Sequence, residues 1–271
     1  MQHKRDQLVG LLGLRSVVMG IVNVTPDSFS DGGKFQSRDA ALAQAKKLVV
    51  EGADVIDVGA ESTRPGHTPI AEDVEIARLA PILPALVQAI DQPISIDTSK
   101  AAVARYAMSL GVPIVNDVWG LQKDPAMADT VAEGGAAVII MHNREAVDPG
   151  LDVLSDMRRF FDHSLALADK AGILRQHIIL DPGFGFGKTK DQNLFILHRL
   201  EQFLDYGLPL LVGVSRKSFL GAMLGVEVDA RLIGTLAANL AAAARGASIF
   251  RVHDAAEHVA AFKVFDAIQR G

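Results

Sequence analysis

The chain has 271 residues, no cysteine and a formal net charge of -5. A chain without thiols excludes disulfides, thiolate zinc sites and a cysteine nucleophile, and the acidic balance argues against a nucleic-acid footprint. Hydrophobic residues make up 49% and charged residues 22%, the balance of a folded globular domain and not of a disordered chain.

The first 14 residues place Lys4 and Arg5 before an apolar run that ends at Leu14. Arg15 interrupts it and no small-residue cleavage site follows, so it does not read as a secretion signal. This segment is expected to cap the lower end of the fold. From residue 15 onward one pattern recurs: a short β-branched apolar run, a loop, then an Ala-rich amphipathic stretch. Val17–Val22 leads to a helical stretch over 38–51, Ala53–Val58 to 71–90, Pro93–Asp97 to 100–110, and Pro113–Asn116 to 124–134. Ala136–Met141 leads to 153–171, His177–Asp181 to 190–205, Pro209–Gly213 to 228–245, and Ala247–Val252 to 254–269. Strands alternating with helices imply parallel pairing, because each crossover needs a helix. Eight such units predict one α/β domain over 15–271, a (β/α)8 TIM barrel, with an open doubly wound sheet as the alternative. The most apolar stretch, Leu232 to Ala244, lies between Arg231 and Arg245 and contains Thr235 and Asn239. It is too short for the ~20 apolar residues of a membrane span, so no membrane partner is expected.

Polar residues that core packing does not need follow every apolar run. They are Asn23, Glu61 to Arg64, Asp97, Asn116 and Asp117, His142 and Asn143, Asp181, Ser215 to Ser218, and Arg251 to Asp254. In a barrel all strand C-termini open on one face, where catalytic residues gather. One strand-end Asp or Asn is commonly a helix N-cap; eight strands contributing at once point to a site. Arg64, Lys217, Arg251 and His253 suit an anion, with arginine offering a planar fork. Asp97, Asn116 and Asp181 suit a heterocycle rich in N–H donors, because carboxylates only accept. The residues by themselves lead as far as an anionic heterocyclic substrate. The stretch PGFGFGKT (182–189) fails the P-loop pattern because Pro182 stands where glycine is required. It is expected instead to form a flexible loop carrying Phe184 and Phe186. The eight histidines show no metal-ligand spacing, and His142 reads as a satisfied strand-end histidine.

The stretch MGIVNVTPDSFSDGG (19–33) resembles the first signature of the dihydropteroate synthase family, and DVGAESTRPG (57–66) resembles its second. IDTSK (96–100), VND (115–117), LDPGFGFGK (180–188), VSRKSFLG (214–221) and RVHD (251–254) are similar to further motifs of that family. The resemblance implies a transferase of folate biosynthesis. Its members join 6-hydroxymethyl-7,8-dihydropterin diphosphate to p-aminobenzoate, giving 7,8-dihydropteroate and pyrophosphate, with Mg²⁺ as cofactor and pyrophosphate leaving before the amine attacks. Carried over motif by motif, Asp97, Asp181, Lys217 and Asp31 are the catalytic candidates. Thr63, Arg64, Asp97, Asn116, Met141, Asp181, Lys217, Arg251, Val252 and His253 are expected to bind the pterin diphosphate. Phe29, Thr63, Pro65, Phe186, Lys217 and Ser218 are expected at the p-aminobenzoate site, where sulfonamides would compete, and Asn23 is expected as the metal ligand. The resemblance also implies a homodimer, and a cytoplasmic home fits a chain without cysteine. Two rival readings share the pterin barrel. A methyltetrahydrofolate-dependent methyltransferase would not need Thr63, Arg64, Arg251 and His253 around a diphosphate. A non-catalytic pterin-binding relative would have lost Asn23, Arg251 or Lys217.

Overall fold

The computed structural model describes residues 1–24, 34–61 and 68–270, with residues 34–37 described in backbone alone. Eight parallel strands form the centre: β1 (Val17–Asn23), β2 (Val55–Gly59), β3 (Ile94–Asp97), β4 (Ile114–Asp117), β5 (Ala137–Met141), β6 (Ile178–Asp181), β7 (Leu211–Val212) and β8 (Ile249–Val252). Neighbours in sequence pair from β1 to β6, and β8 pairs with both β7 and β1. A bridge between Leu180 and Leu210 brings β6 to β7, so the sheet closes as a TIM barrel and not as an open sheet.

Strand side chains alternate between two faces. Met19, Val55, Ile114, Ile139, Ile179 and Ile249 form one buried cluster inside the barrel, and Leu8 of α1 (Gln2–Leu11) is buried with them. The intervening residues, such as Val18, Ile56, Ile96, Val138, Leu180 and Phe250, belong to a larger outer core under the helices. The helix α1 lies under the strand starts. There Lys4 Nζ donates to Ile90 O at 3.1 Å and Arg5 Nη1 donates to Gly135 O at 2.6 Å.

The outer layer begins with α2 (Lys34–Val50), α3 (Glu72–Leu79), α4 (Leu83–Ala89), α5 (Ala101–Ser109), α6 (Met127–Gly134) and α7 (Val153–Ala171). It continues with α8 (Lys190–His198), α9 (Ser218–Leu224), α10 (Leu232–Ala243) and α11 (Ala255–Arg270). The sequence pattern reads 71–90 as one helix, and the structure breaks it. Pro81 has no N–H with which to continue the α3 ladder, although Ala80 before it is still helical, whereas Pro84 fits the first turn of α4, where that N–H is not needed. The stretch 190–205 also divides, into α8 and a 3₁₀ segment Leu200–Tyr206. The short helix α9 does not follow from periodicity, and β7 keeps only two residues between Pro209 and Gly213.

Pairing register sets up the mouth of the barrel. Asn23 lies beside Gly59, Gly59 beside Asp97, and Asp97 beside Asn116. Farther round, Met141 lies beside Asp181.

Candidate active site

Asp57, Asn116, Met141, Asp181 and Arg251 each stand two residues beyond an interior apolar residue of their own strand. Period-two alternation therefore places them inside the barrel, on the same face as the apolar floor and toward the strand ends. Asp97 shares its row with Asn116, and its strand neighbours Ile94 and Ile96 face the outer core.

Arg251 lies beside Met19 in the register, low in the barrel, and its long side chain reaches two carboxylates. Its Nε donates to Asp57 Oδ2 at 2.6 Å and its Nη2 donates to Asp97 Oδ2 at 2.8 Å. Asn116 Nδ2 donates to the same Asp57 oxygen at 3.3 Å. The remaining acceptors, Asp97 Oδ1, Asn116 Oδ1 and Asp57 Oδ1, are buried and find no partner among the described residues. Burial pushes the Asp97 carboxyl up to about 7; Arg251 opposes this and the charge of Asp57 adds to it. Arg251 itself is held charged, because Asp57 and Asp97 outweigh its desolvation. Unpaired buried acceptors beside a fixed cation form a surface that takes hydrogen-bond donors.

The loop after β6 is not the flexible segment expected from its glycines. Lys188 is buried, and its Nζ donates to Gly183 O at 2.8 Å, Phe186 O at 3.1 Å and His142 O at 3.3 Å. Burial lowers the Lys188 ammonium to about 7, with Asp181 opposing. Gly185 N donates to Asn193 Oδ1 at 2.7 Å. Gly183 has φ +66°, and a Cβ there would lie 1.9 Å from His142 O, so only glycine fits. Its N–H donates to Asp181 Oδ1 at 2.8 Å, which fixes that carboxylate at the mouth. Burial pushes Asp181 up to about 6. Phe184 is part of the outer core, so Phe186 alone of the two phenylalanines is presented. Lys217 Nζ sits 4.2 Å from the Phe186 ring centroid, a cation–π contact.

Lys217 is aimed by a strained turn. Arg216 has φ +56°, held by hydrogen bonds to both Asp254 oxygens at 3.0 and 2.5 Å. Ser218 is exposed at the first position of α9. His253 Nδ1 is 2.9 Å from Ser215 Oγ, and burial lowers its imidazole to about 4, with the charge of Arg251 adding to the effect. His253 is thus neutral near pH 7: it can donate an N–H to an anion but not add positive charge.

Asn23 stands exposed at the end of β1, in the row of Gly59, Asp97 and Asn116. The Val252 side chain does not face the barrel interior. It is fully buried in the outer core, on the opposite face of β8 from Arg251. Asp117 likewise turns away, accepting from Trp119 N and Leu121 N to close a tight turn. His142 packs on Phe160 of α7 and contacts Asp156 at 3.2 Å, while its buried Nδ1 finds no partner among the described residues, so it is only partly the satisfied histidine expected. Phe29, Asp31, Thr63, Arg64 and Pro65 lie outside the described residues. Sequence reasoning missed Asp57 and Lys188. The first is visible only as an acid inside an apolar strand, VIDVG, and the second only as a lysine after a glycine-rich run. It also missed Lys100, whose Nζ bridges Glu61 at 2.5 Å and the fully buried Glu75 at 2.6 Å.

Comparison with known proteins places this geometry. The model of a family described as pterin binding enzyme matches residues 19–253. A dihydropteroate synthase from Clostridium beijerinckii is 43% identical over 260 residues, covering 96% of each chain. The crystal structure of a dihydropteroate synthase from Clostridium difficile in the presence of pteroic acid superposes with TM-score 0.93 at 47% identity, over 96% of this chain and 99% of that one. A Xanthomonas albilineans dihydropteroate synthase with 4-aminobenzoic acid gives TM-score 0.91 at 42% identity, over 95% and 94%.

Proposed function

The chain belongs to the dihydropteroate synthase family of pterin binding enzymes, and from that premise we propose how its own residues carry the reaction. It is a transferase that condenses 6-hydroxymethyl-7,8-dihydropterin diphosphate with p-aminobenzoate. The C–O bond at the pterin methylene breaks and pyrophosphate leaves. The aniline nitrogen forms the new C–N bond and gives up a proton. The observation that carries the assignment of roles is the set of acceptors at Asp97, Asn116 and Asp181 above an apolar floor. The amino and N–H donors of a pterin match it. Leaving such donors unpaired on burial would cost about 1–3 kcal/mol each, which supports reading the set as the pterin pocket. The same carboxylates favour positive charge on the pterin as pyrophosphate departs. Met141, buried beside Asp181, supplies an apolar contact for the ring.

Arg251, neutral His253 and Lys217 face the diphosphate in this reading, joined by Thr63 and Arg64. Phe186 walls the p-aminobenzoate slot with Phe29 and Pro65, and Ser218 takes the carboxylate. Asp31 completes the proposed catalytic set. Sulfonamides, which share the aniline and an acidic para group, compete in that slot.

Mg²⁺ is part of the proposal, and the donor set fits it. No group of three or more His, Cys, Asp or Glu among the described residues could cage a metal. Asn23 offers one hard amide oxygen at the exposed mouth. Mg²⁺ commonly takes one or two protein ligands, with waters and phosphate oxygens completing its shell. When bound, it supplies neutralisation of charge on the leaving pyrophosphate.

No described helix is long and apolar enough to cross a membrane. The proposed location is the cytoplasm and the proposed assembly a homodimer. Exposed Ile233 of α10 and Val264 and Ile268 of α11 offer apolar surface for the latter. One assay tests the functional reading: formation of 7,8-dihydropteroate from both substrates and Mg²⁺, and none when p-aminobenzoate is replaced by benzoate. No dihydropteroate with both substrates and Mg²⁺ present would overturn it.

A further inference from the structure

We propose that Asp57 is a positioning residue that fixes the donor–acceptor polarity of the pterin pocket. It anchors Arg251 and the Asn116 amide so that Asn116 presents its oxygen, not its NH₂, to the ligand. The inference rests on the pterin-binding reading above and deepens it.

Asp57 is fully buried in the middle of β2, and both of its described partners belong to the pocket. Its Oδ2 accepts from Arg251 Nε at 2.6 Å and from Asn116 Nδ2 at 3.3 Å. An asparagine amide can present either its oxygen or its NH₂ to a ligand, and nothing in its own chemistry chooses. An ionised carboxylate only accepts, so Asp57 claims the NH₂ of Asn116. The oxygen is then left unpaired among the described residues, as Asp97 Oδ1 is. Asn116 becomes, in effect, a third acceptor beside Asp97 and Asp181.

Arg251 is divided in the same way. Nε goes to Asp57, and Nη2 goes to Asp97 at 2.8 Å. Because one fork of the guanidinium stays with Asp57, Arg251 keeps its place when a ligand engages Asp97. The groups acting on the Asp97 carboxyl are Arg251 and Lys217, which favour its charge, and Asp57 and Glu75, which oppose it. Asp57 therefore also keeps Asp97 readier to hold a proton than Arg251 alone would.

The experiment compares wild-type protein with Asp57→Asn for binding of 6-hydroxymethylpterin by calorimetry between pH 5 and 9. The substituted amide can donate as well as accept, so Asn116 loses its fixed orientation. Plateau affinity at high pH is expected to fall about tenfold to a hundredfold. Removing one opposing charge is expected to move the acidic midpoint of binding down by about one pH unit. A residue that only supported the barrel would lower the plateau without moving the midpoint. Unchanged plateau and midpoint, or a midpoint that moves up, overturns the proposal. Wild-type protein that binds no pterin overturns instead the functional reading on which it rests.

A second measurement needs no variant. In wild-type protein the Arg251 Nε–H resonance is expected to stay protected from exchange on pterin binding, because Asp57 still accepts it. Loss of protection on saturation overturns the proposal.

Discussion

Replacing Asp181 by asparagine is expected to stabilise the ligand-free protein while disabling its site. Burial raises the Asp181 carboxyl from its ordinary value of 3.8 to about 6. A carboxyl whose folded value lies above its unfolded one binds its proton more tightly in the folded state. The stability this confers is present below about pH 4 and is lost as pH rises through 6. The displacement corresponds to about 3 kcal/mol of stability missing at pH 8, as an upper bound. An amide of the same shape carries no charge, and its oxygen still accepts from Gly183 N, where the carboxylate now does at 2.8 Å. Asp181→Asn is therefore expected to raise stability at pH 8 by up to about 3 kcal/mol and to leave it nearly unchanged at pH 4. The same amide turns NH₂ toward ligand donors, so pterin affinity is expected to fall at least about tenfold. Calorimetric unfolding at pH 4, 6 and 8, paired with pterin titrations at pH 8, measures both halves. Equal or lower stability of the variant at pH 8 would refute the argument from burial. Undiminished pterin affinity would refute the role given to Asp181.

Chelating Mg²⁺, or substituting Asn23→Ala, is expected to abolish or sharply slow pyrophosphate release while leaving pterin binding largely intact; full turnover in EDTA removes Asn23 from its proposed role. Lys188→Met is expected to destabilise the fold by up to about 3 kcal/mol near pH 10, because three carbonyls lose their donor, and by less at pH 7, where removing the buried ammonium offsets that loss; an unchanged melting temperature at pH 10 would show that the loop is held by other means. Binding of p-aminobenzoate and of sulfonamides is expected to be strong only with pterin and Mg²⁺–pyrophosphate in place, because Thr63 serves the anion and the aromatic slot in this reading. Equal affinities for the free protein and for that complex, measured by calorimetry, would refute the ordering.

The architecture was legible because its signal repeats. Each apolar run is β-branched and each following stretch has a helical stripe, so eight weak readings support one another. What repetition could not convey was local. Pro81 divides one helix, and α9 is too short for its periodicity to stand out. At the site, the strand-end positions of Asp97, Asn116 and Asp181 marked them because polar residues there serve no core. Asp57 sits one pleat lower, where the pattern leads one to expect a packing residue, and its meaning depends on Arg251, 194 residues away in sequence. Lys188 hides for the complementary reason. Lysines are ordinary on loops, and only the folded chain shows that this one is buried among carbonyls. Val252 shows the opposite case. It lies within the matching motif RVHD, but strand alternation turns it outward between Arg251 and His253. A motif therefore marks which segment reaches the mouth, while the pleat decides which of its side chains face the ligand. The groups that orient those side chains, Asp57 for Asn116 and Lys188 for the loop that fixes Asp181, come from positions where sequence alone gives no reason to look.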